Sequence, residues 1–204
     1  MNEMKMVKTA ADLDRFFKVL QRVVAIGMGV MVIVMAVLTV VNAVNPDAVI
    51  GEDFHVIDLG PVTLELAAEL APDNTAVLGY AWFAVAFGLA AAVVICWALG
   101  CLRKILAPMK EGRPFDASVS NNIKKIGYAV LAWGVISNVG KVVETSMALR
   151  YFNLDALSAV GEIRSVTVTH TFDISFVIVF FLLLLVSYIF RYGTELQRLS
   201  DETL

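Results

Sequence analysis

Asn138, Lys141, Glu144 and Thr145 follow one another at steps of three and four, the spacing that aligns side chains on one face of a helix. The residues around them are apolar, so a cation and a carboxylate here are costly and need a reason. Two reasons stand. The stripe could line a path for a transported species, or Lys141 and Glu144 could form an internal ion pair that ties their helix to its neighbours. Lys141 lies about 21 Å along the helix from Gly127, inside a hydrocarbon core of about 30 Å. Helical side chains lean toward the N-terminus, so Glu144 leans back toward Lys141, and Lys141 has no easy way to snorkel onward.

No other cluster offers chemistry. A phosphate-cradling glycine loop, a nucleophile elbow, HExxH and a paired-cysteine motif are all missing, so the chain reads as non-enzymatic and without a cofactor. Cys96 and Cys101, five residues apart, fall on different faces of a helix and read as packing residues. His55 and His170 lack a third ligand of suitable spacing, so no metal is expected. The basic residues suit lipid headgroups, which leaves no nucleic-acid surface.

The elements that must position the stripe follow from composition. Of 204 residues, 59% are hydrophobic and only 17% charged, and the mean hydropathy is +0.77. Lipid is the natural solvent for such a chain. Four apolar stretches stand out, at about 23–44, 75–102, 126–147 and 171–190. Six of the sixteen Lys and Arg residues lie in the connector 103–125, with five before Val23 and two after Phe190. None falls in 45–74 and two fall in 148–170, so the positive-inside rule puts both termini and the connector in the cytosol. The expected fold is an all-α membrane protein: a four-transmembrane-helix bundle in one polytopic domain, 1–204, with outer loops 45–74 and 148–170.

Local signals add detail. Thr9 to Asp12 resembles a capping box that would open an interfacial helix bearing Leu13, Phe16, Phe17 and Leu20. Val41 to Ala43 could pass as a signal cleavage site, but an apolar run of some twenty residues is too long for a signal core. Gly112, Pro114 and Asp116 should break the helix of the connector, and Asp116, with Ser118 as competitor, should cap a new helix near Ala117. Period-two alternation at Val62, Leu64 and Leu66, with Gly60-Pro61 as a turn, predicts a hairpin of Phe54–Leu59 and Val62–Leu66. Arg164–His170 alternates likewise, and the two outer loops are expected to share one small extracytoplasmic β-sheet. Small residues at Ala84, Gly88, Ala92, Cys96 and Gly100 form a ridge for helix packing, within the chain or in a homo-oligomer. The fourth span has no such ridge and should largely face lipid, followed by a short polar helix.

The connector LRKILAPMKEGRPFDASVSNNIKKIG and the ending FRYGTELQRLSDETL resemble the bacterial membrane proteins of domain-of-unknown-function family 2975. Ile105, Gly112, Pro114 and Phe115 match its connector pattern. Phe190, Gly193, Glu195, Leu196, Asp201, Glu202 and Thr203 match its ending. The resemblance implies four spans, no established activity and a regulatory pairing with a small Cro-like helix-turn-helix protein. On this basis Gly112, Pro114, Phe115, Gly193, Glu195 and Leu196 are candidates for a cytosolic partner surface. The leading expectation is a sensor, regulatory or accessory protein of the bacterial cytoplasmic membrane. The alternatives are a small transporter, channel or export accessory using the Asn138 stripe, and an immunity protein whose acidic outer loop blocks cationic peptides.

Overall fold

The computed structural model describes residues 2–45, 56–58, 63–65, 74–113, 115–151 and 172–202. Within them lie four long helices and one short hairpin: α1 (Asn2–Val44), β1 (Val56–Asp58), β2 (Thr63–Glu65), α2 (Asn74–Lys110), α3 (Ala117–Tyr151) and α4 (Ser175–Glu202). Each helix is long and apolar enough to cross a membrane, over Met4–Val44, Val77–Lys110, Ala117–Met147 and Ser175–Ser200. Apolar residues that a water-soluble protein would hide are exposed along α1, at Val23, Ile26, Val30 and Ile33, and along α4, at Phe181, Leu182, Leu185 and Ile189. Hydrocarbon is the solvent that such faces suit.

The helices outrun the apolar stretches. At about 1.5 Å per residue α1 is about 64 Å long, twice the thickness of a hydrocarbon core. Hydropathy marks where lipid can begin and end; the backbone stays helical until something stops it. The Thr9 capping box is not used. Its hydroxyl donates back to the Lys5 carbonyl (2.9 Å) inside an unbroken helix, because the residues before it are good helix formers that need no new start. The short polar helix expected at the C-terminus is likewise the uninterrupted end of α4.

Real stops occur where the sequence places breakers. α2 runs through Pro108 to Lys110 and is closed off at Gly112, whose φ of 75° is open to glycine without a Cβ penalty. The Arg113 N–H reaches back to the Pro108 carbonyl (2.9 Å) and the Gly112 N–H to Met109 (3.2 Å), a Schellman closure. Four residues later Asp116 caps α3. Its Oδ1 accepts from the Ser118 N–H (2.8 Å), as expected of this residue rather than of Ser118. Hydrogen bonds from Ser118 hold the Asp116 carboxyl below the usual carboxylate range.

β1 and β2 pair antiparallel, with Val56 opposite Glu65, Ile57 opposite Leu64 and Asp58 opposite Thr63. The sheet expected from both outer loops is not supported: among the described residues the strands belong to the first loop alone, and Arg164–His170 lies outside them.

The chain forms two compact units, and α1, α2 and α3 each contribute to both. The first, Met1–Met28, Leu89–Asn138 and Phe172–Leu204, has a core around Ala10, Leu99, Cys101, Val119, Ile123 and Ala129. The second, Gly29–Gly88 and Val139–Thr171, buries Met35 and Val85.

Candidate functional site

The first unit joins its helices by polar ties that follow from local sequence. On α1, Asp14 and Gln21 are seven residues apart, about two turns, and so share a face. Asp14 receives the Arg103 Nε at 3.0 Å and the Lys110 Nζ at 2.6 Å, both from α2. Gln21 accepts from the Arg103 Nη1 (3.3 Å) and donates to the Cys96 carbonyl (3.4 Å). The Lys110 ammonium is the largest influence holding the Asp14 carboxyl below its ordinary range. Partial burial opposes it, and the Arg103 guanidinium adds to it. Between α3 and α4, the Ser120 hydroxyl donates to the Ser187 carbonyl (2.8 Å) and the Ser187 hydroxyl to the Ser120 carbonyl (2.9 Å), a reciprocal and buried pair.

The sequence-predicted stripe is divided. Asn138 belongs to the first unit, where its amide donates to the Gly134 and Asp173 carbonyls, both at 2.9 Å, and accepts from the Asp173 N–H at 3.0 Å. Those bonds fix the residues leading into α4, whose Ser175 N–H is capped by the Asp173 Oδ1 (2.8 Å). Lys141, Glu144 and Thr145 belong to the second unit. Glu144 accepts the Tyr80 hydroxyl of α2 at 2.8 Å, and Thr145 bonds back to the Lys141 carbonyl. Lys141 is exposed, and among the described residues no ion pair joins it to Glu144. A small cavity of about 90 Å³ lies at Glu144, lined by Tyr80, Phe83, Ala84, Phe87 and Gly140.

The connector and the tail meet. Phe115 packs its ring at 5.9 Å from that of Phe190 and covers Gly193, where a Cβ would come to 2.9 Å from the Phe115 Cδ1. Glycine at 193 is therefore a matter of space. Phe115 and Leu196 remain 45% and 49% exposed, and Glu195 is exposed on the same helix. A cleft of about 340 Å³ separates connector from tail, lined by Arg113, Phe115, Asp116, Gln197 and Arg198 among others. Gly112 caps α2, and Pro114 lies outside the described residues.

The small-residue ridge on α2 does less than expected. Gly88 meets Met31 of α1 and Ala92 is buried, but Ala84 is exposed and Gly100 has open space. Further close helix contacts are on α3, at residues that sequence reasoning did not single out. Gly134 lies against the Phe176 ring, Gly127 against Phe180 and Gly140 against Phe87. The available signal was three glycines in the least apolar span facing aromatic-rich neighbours. Cys96 and Cys101 are free thiols, Cys101 buried, and no metal-binding cluster occurs among the described residues. His55 and His170 lie outside those residues.

Four long apolar helices, joined by polar ties at their helix faces, define the class: a helical protein with the character of a multi-pass membrane protein. No curated protein and no solved structure matches the chain. Its family is shown by residues 65–204, which match the model described as "Protein of unknown function (DUF2975)", and the chain belongs to that family.

Proposed function

We propose that this chain is a non-enzymatic regulatory or accessory protein of the bacterial cytoplasmic membrane, with both termini and the connector in the cytosol. The connector and the tail together receive a cytosolic partner. The observation that carries this reading is the packing of Phe115 on Phe190 and Gly193, which turns two distant pieces of chain into one surface with a cleft of about 340 Å³. Phe115 and Leu196 are apolar anchors on that surface, and Arg113, Arg198 and Glu202 supply a charged rim. Such a surface fits a small soluble protein, and a helix-turn-helix regulator is the partner class that the family resemblance brings forward. The distribution of Lys and Arg supports the cytosolic orientation.

Co-purification from detergent tests the reading, with the full chain compared with a tail truncated after Arg191 and with Leu196→Asp. A partner retained by the full chain and lost by both variants is expected. A cytosolic partner held equally by all three, or by none, overturns it.

A further inference from the structure

A second cavity, about 480 Å³, opens between α3 and α4 in the first unit. Lys124, Arg191 and Arg198 line it with one carboxylate, Glu195, so its charged side chains sum to a positive balance. The polar lining also includes the exposed Asn121, the half-buried Thr194 and the buried Ser120–Ser187 pair. Leu184 and Tyr188 line its apolar part, beside the exposed Leu185.

The cavity straddles a change of solvent. α4 carries no charged residue from Ser175 to Phe190 and then presents Arg191, Glu195 and Arg198. α3 has Lys124 and Lys125 immediately before its apolar run begins at Ile126. Both helices therefore pass from hydrocarbon to headgroup level beside this opening. The nearby ion pairing is weak: Arg198 reaches Glu202 at 3.6 Å on an exposed face, Lys124 sits 5.9 Å over the Tyr128 ring, and among the described residues Arg191 has no ion pair.

We infer that the α3–α4 groove is a binding site for the phosphate-bearing headgroup of an anionic glycerophospholipid. Lys124, Arg191 and Arg198 hold the phosphate, and an acyl chain lies along Leu184, Leu185 and Tyr188. A cationic opening combined with an adjoining apolar wall matches an amphiphile, and basic pockets between spanning helices are suited to anionic headgroups. Glu195 disfavours additional negative charge, so a headgroup with a single phosphodiester fits better than one with several phosphates.

The test uses the full chain in nanodiscs of phosphatidylcholine doped with phosphatidylglycerol. Retained lipid is read by native mass spectrometry and folding by circular dichroism. Selective retention of phosphatidylglycerol is expected, with each of Lys124→Gln, Arg191→Gln and Arg198→Gln weakening it about fivefold. Lys5→Gln with Lys8→Gln, neither of which lines the groove, should leave it unchanged, and Glu195→Gln should strengthen it. All these side chains are exposed, so the variants should fold. Equal retention by the wild type and the three groove variants overturns the inference, as does weakening by Glu195→Gln. Complete displacement by millimolar inorganic phosphate would identify a free-anion site and overturn the lipid assignment.

Discussion

Phe115 of the connector rests on Gly193 of α4, so close that an added methyl group would come to 2.9 Å from the Phe115 Cδ1. The contact links two motifs that are far apart in the chain, and it explains glycine in the middle of a helix, where that residue costs about 1 kcal/mol relative to alanine. Space for the ring offsets the lost helix propensity.

A double-mutant cycle follows from that balance. Gly193→Ala alone should be nearly neutral, because the gain in helix propensity is offset by displacement of an aromatic ring that is only half-buried. In a Phe115→Ala background the same change should stabilise by about 1 kcal/mol. Thermal or denaturant unfolding in detergent measures both, and equal effects in the two backgrounds would mean that ring and glycine do not interact.

Gly134 makes a stricter contact. A Cβ there would fall inside the Phe176 ring, which lies between α3 and α4. Gly134→Ala should cost about 1–3 kcal/mol through overpacking, and Phe176→Leu should recover part of the loss. Gly100, with nothing within 4 Å, is the control: Gly100→Ala should be neutral or stabilising.

Asp14 gives the first unit a pH response. Its carboxyl titrates below its unfolded value because Lys110 and Arg103 favour the charged form. The tie therefore contributes fully above the unfolded carboxylate pKa of about 4, and is lost as pH falls through the lower, folded value. At neutral pH Asp14→Asn should destabilise by about 1 kcal/mol, since the pair is partly exposed. The difference between variant and wild type should shrink below about pH 4. A difference that stays constant from pH 7 to pH 3 would count against this assignment.

Asn138 is expected to act on α4 rather than on a transported species. Replacing it by alanine removes all three of its bonds and should cost about 1–3 kcal/mol, with faster hydrogen exchange at the Ser175 and Val177 amides. Flux through proteoliposomes that falls with Asn138→Ala while stability and exchange stay unchanged would reverse that view.

Sequence alone determined the features whose causes are local in the chain. The apolar stretches, the breaker at Gly112, the cap at Asp116 and the connector–tail motifs could be read residue by residue, because helix stops, caps and hydropathy depend on neighbours within a turn or two. Only the tertiary structure decided which side chains meet across helices. Lys141 and Glu144 are three residues apart on one helix face, yet Glu144 turns to Tyr80. Asp14 finds Arg103 and Lys110 nearly a hundred residues away, and close contacts fall on the glycines of α3 as well as on Gly88 of the α2 ridge. The reason is rotational: helices that are apolar on nearly every side carry no strong periodic signal for the face that turns inward. Their rotation and register are set by the fit of rings to glycines and by a few interhelical hydrogen bonds, which exist only once the helices are side by side.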